Sequence, residues 1–221
     1  MKIQRRPTTV LLPVPLVLVS VAGDQGGAPD IVTIAWAGTV CSAPPMLSVS
    51  IRPSRHSYGL LQRSHEFVVN VPRAAQARQV DLCGNASGRD TDKFAACGFH
   101  AAPAARVHAP LIAECPINIE CVTRHRLSLG AHDLFIGEIV AVHYDEEVLD
   151  DRGRLRVDGV DALSYVHGEY WTLGRKVGSY GYTVGGVAFD PDRSEDQSVA
   201  SPADAAPQGA DDTEPQAGAD A

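Results

Sequence analysis

DIVTIAWAGTVCSAPPMLSVSIRPSRHSY, residues 30–58, holds two short runs of strand character around a proline turn and ends in a polar, basic loop. In the second run Leu47, Val49 and Ile51 alternate with Ser48, Ser50 and Arg52. A strand sends successive side chains to opposite faces, so one face is apolar and the other carries two hydroxyls and a guanidinium. Arg55, His56, Ser57 and Tyr58 follow directly. Such a cluster suits an anionic, planar ligand held by its phosphate and its ring. Ser57 stands where an N-cap would open a short helix through Leu60 and Leu61, and the free N–H groups of a helix start attract anions.

Working outward, the glycine-rich turn of residues 23–29 makes Leu16–Val21 and Ile31–Ala37 an antiparallel pair. The tandem Pro44-Pro45 ends the strand before Met46 because neither residue can donate to a ladder. Phe67–Val71 reads as a further strand stopped by Pro72, and Arg73–Cys83 as a helix with Gly84 just past its end. Asp90 is the expected cap of a turn holding Lys93 and Phe94, closed by Gly98. Ile117, Ile119 and Cys121 alternate with Asn118, Glu120 and Val122, the pattern of a half-buried strand that also takes in Cys115. Leu134–His143 is its expected neighbour, and Asp145–Asp151 a solvated acidic turn. Leu163 to about Phe189 is the last ordered piece, its tyrosines and Trp171 mainly packing. These elements give a mainly β chain with a few short helices, which favours a small barrel.

The formal net charge of -8 is unevenly placed: nine of the 27 acidic residues and one of the 19 basic ones lie from Asp190 onward. The body is therefore neutral, which argues against nucleic acid as the main partner. Residues 190–221 are rich in Asp, Ala, Pro, Gln, Gly and Ser, too apolar-poor to offset ordering entropy, and read as a disordered tail. The domain organisation expected is an extension over 1–9, one domain over 10–189 and that tail. Five cysteines form no CxxC pair and read as free buried thiols of a reducing cytoplasm; the eight histidines have no metal spacing, so no metal site is expected. Lys2, Arg5 and Arg6 before the apolar run Val10–Val21 outline a secretory signal, but Pro13 and Pro15 interrupt it. A buried first strand explains the run as well, and it is too short and broken to span a membrane.

Several catalytic devices are missing: GxGxxG behind a strand, GxxxxGK[ST], HExxH and GxSxG do not occur. Chemistry, if present, is expected to rest on a bound organic cofactor. Residues 13–20 (PVPLVLVS), 33–36 (TIAW), 43–45 (APP) and 51–58 (IRPSRHSY) resemble the flavin reductase-like proteins. Residues 66–70 (EFVVN), 92–94 (DKF), 114–116 (ECP) and 132–138 (HDLFIGE) continue the resemblance in order, nearest to the flavoredoxin-like subgroup.

The resemblance implies an FMN-binding split β-barrel, usually a homodimer with flavin near the subunit interface, and assigns the apolar N-terminal run to the first strand. It places Thr33, Ile34, Ala35 and Trp36 beside the isoalloxazine. It places Ser50, Arg52, Arg55, His56, Ser57 and Tyr58 along the ribityl chain and phosphate, and His132 near flavin and nicotinamide as the catalytic-site candidate. The subgroup often carries Lys and Thr where Arg55 and Ser57 stand here, changes that keep charge and hydroxyl. The implied activity is hydride transfer from NADH or NADPH to flavin, with a monooxygenase among the open electron acceptors. The rivals are an electron carrier between proteins and a non-enzymatic barrel without flavin. Competing structural roles are a solvent-facing edge for Ser48 and Ser50, surface charge for Arg52 and Arg55, core packing for Trp36 and a structural hydrogen bond for His132.

Overall fold

The computed structural model describes residues 1–183. Its first elements are β1 (Val14–Pro15), β2 (Val17–Val21), β3 (Asp30–Ile34), β4 (Ala37–Ser42), β5 (Pro45–Ile51), α1 (His56–Ser64) and β6 (Glu66–Val71). Next come α2 (Ala77–Asn85), α3 (Lys93–Cys97), β7 (Ala101–Ala102), β8 (Leu111–Ile112), β9 (Ile117–Ser128) and β10 (Asp133–Tyr144). The last are α4 (Val157–Val160), β11 (Leu163–Val166) and β12 (Glu169–Thr172). Met1–Gly174 form one compact unit. Of a second, beginning at Arg175, residues 175–183 are described; they include a turn in which the Tyr182 N–H reaches the Ser179 carbonyl. The acidic-tail assignment and the end of the expected last ordered piece lie outside the described residues.

Seven strands form one curled sheet in the order β3-β2-β6-β9-β10-β5-β4, the half-barrel of a split-barrel fold. Neighbours are antiparallel throughout, and the consecutive pairs β2–β3, β4–β5 and β9–β10 are hairpins while the other three pairs join strands distant in sequence. Curvature comes from register shifts at Ile136/Gly137 and Ile139/Ala141 on β10 and at Thr39/Cys41 on β4. Gly137 is dictated by close approach: a Cβ there would lie 2.7 Å from the Phe67 ring. Of the apolar N-terminal run that outlines a secretory signal, Val17–Val21 is β2, whose five residues are all buried, while Val10–Leu12 are exposed.

Both faces of β2 are covered because its side chains alternate between two cores. Val17, Val19 and Val21 point into the half-barrel with Val49, Ile51, Phe67 and Phe135, closed by Leu60 and Leu61 of α1. Leu16 and Leu18 pack outward with Ile31 against Val80 and Cys83 of α2 and Phe94 of α3. The alternation in β5 is as the sequence implies: Leu47, Val49 and Ile51 are buried, Ser48 and Ser50 half-buried.

Several local expectations are corrected. Arg55, not Ser57, caps α1, because the Ser57 hydroxyl turns inward to the buried Asp30. Gly84 lies inside α2, where a Cβ would come within 3.3 Å of Thr33; its missing side chain lets the helix sit close on β3. Asp92 rather than Asp90 caps α3, its carboxylate accepting from the Ala95 N–H. Cys115 precedes β9 instead of belonging to it.

The polar side of β9 is not solvent-facing either. Asn118 Nδ2 donates to Asn70 Oδ1 at 2.8 Å, while Glu120 is fully buried. The Glu120 carboxylate accepts from the N–H groups of Ala105, Arg106 and Val107 and contacts His143 Nε2 at 2.5 Å. Burial alone would raise its pKa; those donors and the imidazole outweigh burial and hold it below the ordinary carboxylate value. The acidic run buries Val148, and Trp171 and Tyr180 are exposed rather than packed. Cys41 and Cys97 are half-buried, so only Cys83, Cys115 and Cys121 are buried thiols; all five are free.

Candidate functional site

Where β3 leaves the sheet at Ile34 and β5 ends at Ile51, their termini line a cleft of about 560 Å³. Thr33, Ile34, Ala35 and Trp36 line it beside Ser50, Arg52, Arg55 and His132, the Ser50 N–H donating to the Trp36 carbonyl at 2.9 Å. Eight of the eleven residues assigned from sequence thus meet at one place. Sheet register explains it: β5 pairs with β10, so Asp133 lies opposite Ile51 and the preceding His132 arrives beside Arg52.

The remaining three do not line this cleft. Ser57 is buried and donates to Asp30 Oδ2 at 2.5 Å. Asp30 Oδ1 lies 3.1 Å from Lys93 Nζ, and that ammonium also donates to the Ile31 carbonyl. The hydroxyl proton of Ser57 is therefore committed to a buried carboxylate, leaving none to offer a phosphate. The Tyr58 hydroxyl is likewise committed, donating to Asp133 Oδ2 at 2.7 Å, with its ring edge-on to Phe135. That bond lowers the Asp133 pKa and raises that of the phenol. His56 begins α1, half-buried and outside the cleft lining.

His132 is held from two sides. Arg52 Nε donates to its Nε2 at 3.3 Å, and its ring lies 4.6 Å from that of Trp36, tilted by 47°. Accepting at Nε2 leaves the proton on Nδ1. Burial, then the Arg52 guanidinium, pushes its pKa below the ordinary imidazole value. A neutral ring of this kind accepts a hydrogen bond and presents a flat face; it is a poor proton source near neutrality. Trp36 is 41% exposed, so it forms a rim of the cleft rather than part of a core. Thr33 is turned away, its hydroxyl donating to the Val80 carbonyl at 2.5 Å, so the β3 wall presents backbone and aliphatic surface.

The rest of the lining was not legible from the local pattern. β11 and β12 form a hairpin that pairs through β11 with β1, and Tyr165, His167, Gly168 and Tyr170 close the outer side. His167 and Gly168 both have positive φ, 48° and 99°, the requirement of a two-residue type I′ turn. Gly168 between two tyrosine-bearing runs was the available signal. Tyr170 donates to Asp81 of α2 at 2.7 Å, pinning the hairpin to the helix whose end supplies Asn85. Thr8–Leu12, ahead of the first strand, also border the cleft.

Two guanidiniums beside an aromatic rim and a backbone wall lie at the mouth of a curled antiparallel half-barrel, the architecture of a split-barrel protein. The flavin reductase like domain model matches residues 10–174, and the chain belongs to that family. A flavin-related redox function goes with that membership. The chain is 34% identical to the flavoredoxin of Desulfovibrio vulgaris (Miyazaki F), with 84% of this chain and 100% of that one covered at a TM-score of 0.77. For the Methanosarcina acetivorans flavoredoxin the values are 26%, 83%, 100% and 0.76. The reductase component of a 4-nitrophenol 4-monooxygenase/4-nitrocatechol 2-monooxygenase from Rhodococcus opacus is 27% identical over 120 residues, 54% of this chain and 61% of that protein. Among the described residues no helix is long and apolar enough to cross a membrane.

Proposed function

We propose that the protein is an FMN-binding, NADH- or NADPH-dependent flavin reductase whose site is the cleft between β3, β5 and the β11–β12 hairpin. The carrying observation is the convergence of Arg52, Arg55, Trp36 and His132 on one cleft. A dianionic phosphate needs paired guanidiniums, and a flat ring needs a planar neighbour and a wall without competing donors. The donor set fits FMN: Arg52 and Arg55 for the phosphate, Ser50 for the ribityl hydroxyls, and the Ile34–Trp36 backbone with His132 beside the ring. Bound FMN supplies a two-electron acceptor for hydride.

The chain's own work is positional. Arg52 holds the phosphate and, through its bond to Nε2, fixes the His132 ring against Trp36. His132, neutral, shapes the nicotinamide position instead of transferring a proton. Tyr165 and Tyr170 wall the cleft against water on its outer side. The unpaired β4 edge and the exposed Trp36, Val40 and Leu129 support a homodimer in which a second chain covers this rim. Free thiols support a cytoplasmic setting. The Rhodococcus relative supports a monooxygenase as recipient of the reduced flavin. The domain is taken as 10–189, with the extension before it and the acidic tail after it.

Purified protein is expected to be yellow, or to turn so with FMN, and its visible band to bleach within seconds of mixing with NADH or NADPH. A bound flavin that neither nucleotide bleaches would refute the reductase reading. The two flavoredoxin likenesses favour one alternative, an electron carrier reduced by a protein partner. Flavin bleached by a reduced protein donor but not by nicotinamide would establish it.

A further inference from the structure

On the outer face of the sheet, α2 and α3 bring two thiols together away from the cleft. Cys83 lies in α2 and Cys97 ends α3, and their sulfurs are 3.5 Å apart. No other pair among the five cysteines makes such a contact within the described residues. We infer that Cys83 and Cys97 are a modification site, a dithiol that a peroxide converts to a disulfide. Three features carry this beyond chance proximity.

First, the geometry is close to bonding. An S–S bond is about 2.05 Å long, so the sulfurs need to approach by about 1.5 Å. The adjustable partner is at hand, because α3 is five residues long and Cys97 is its last, followed by Gly98 at φ 66°. Second, access is asymmetric: Cys83 is fully buried, while Cys97 is half-buried. An oxidant meets Cys97 first, and Cys83 resolves it from within. Third, among the described residues no strong hydrogen-bond partner competes for either sulfur. Cys97 has a weak contact to the Gln79 carbonyl at 3.8 Å, and Cys83 sits among apolar side chains.

The step balances as follows. The Cys97 thiolate attacks one oxygen of hydrogen peroxide, the O–O bond breaks, and hydroxide leaves to become water. The resulting sulfenic acid is attacked by the Cys83 sulfur, the S–O bond breaks, and a second water departs. Two thiols lose two electrons and two protons, and peroxide takes up both. Burial raises both thiol pKa values, so thiolate is scarce near neutrality and the reaction is slow there and faster in alkali. The new bond ties the helix that lends Asn85 to the cleft to the helix whose Lys93 holds Asp30. None of this depends on the flavin assignment.

The test uses the full chain, reduced, desalted and then exposed to hydrogen peroxide before alkylation with N-ethylmaleimide under denaturing conditions. The expected product has lost two of five alkylatable thiols, and trypsin releases residues 79–89 and 94–106 as one cross-linked species. Closing a loop of 14 residues should raise the melting midpoint by about 5–10 °C, reversibly with dithiothreitol. Cys97→Ser should abolish both the link and the redox-dependent shift. Peptide mapping of the unaltered chain decides the matter even if that variant folds poorly. Recovery of both peptides fully alkylated after oxidation, or a link to Cys41, Cys115 or Cys121 instead, would overturn the inference.

Discussion

Removing one hydroxyl and one guanidinium separates two readings of the basic loop. In the structure Ser57 belongs to the interior and Arg55 to the cleft, so Ser57→Ala and Arg55→Ala should fail in different assays. The Ser57 hydroxyl is a short donor to a carboxylate that is 2% exposed, and Lys93 is the cationic partner of that carboxylate. A hydrogen bond to a charged group is worth about 1.5–3 kcal/mol. For a domain of this size, about 2–4 °C accompanies each kcal/mol, so Ser57→Ala should lower the melting midpoint by about 3–12 °C. Its FMN affinity, measured on the folded protein well below that midpoint, should change less than threefold. Arg55→Ala buries nothing and should leave the midpoint unchanged, yet weaken FMN by about tenfold through loss of a charge-assisted phosphate contact. Arg52→Ala should weaken it similarly and also free the His132 ring. Both guanidinium effects should shrink as salt rises, because exposed charges are screened. The assays are flavin fluorescence quenching at two ionic strengths and thermal denaturation without flavin. The reverse pattern, with Ser57→Ala losing flavin at an unchanged midpoint, would refute the inward orientation of that hydroxyl.

Lys93→Met should be among the most damaging single changes, costing about 3–5 kcal/mol by urea denaturation, since it strands Asp30 in the interior. A loss under 1 kcal/mol would mean that the carboxylate reaches water. Gly137→Ala forces a Cβ against Phe67 and Cys121 and should cost about 1–3 kcal/mol by the same measurement, with Gly137→Ala/Phe67→Leu recovering part of it. No recovery would place the strain elsewhere. The Glu120 pKa is depressed below 4.5 in the folded chain, so its stabilisation is fully present above that value and is lost as pH falls through the folded pKa. Glu120→Gln should therefore flatten the fall in stability below pH 4.5 while lowering stability at pH 7; an unchanged acid limb would assign that fall to other carboxylates.

Strand alternation was legible because it is local: Leu47 to Arg52 declares its two faces within six residues. The same rule failed on β9, where Asn118 and Glu120 are polar and yet buried. Their partners, Asn70, the 105–107 backbone and His143, are distant in sequence, and a period of two cannot tell a solvated face from a satisfied one. Ser57 failed for a related reason. Its position before Leu60 and Leu61 suits a cap, but Asp30, 27 residues earlier, recruits its hydroxyl. Gly84 was read as a stop when its role is to let a helix sit close on Thr33. The cleft's inner walls followed from contiguous motifs, whereas its outer wall depends on a hairpin docking against β1, which no local pattern encodes.

That docking sets an order on synthesis. The curled sheet is complete in chain once β10 has emerged, at Tyr144. The outer wall of the cleft needs β11 and β12, finished only at Thr172, and β11 pairs with a strand made among the first fifteen residues. A nascent chain thus acquires its barrel well before its site gains its outer wall. A chain that has emerged only to about residue 150 would hold a folded scaffold with an open groove, lacking the two tyrosines that line its outer side. The pairing of β1 with the closing β11–β12 hairpin acts as a clasp, fastened only when that hairpin has been translated.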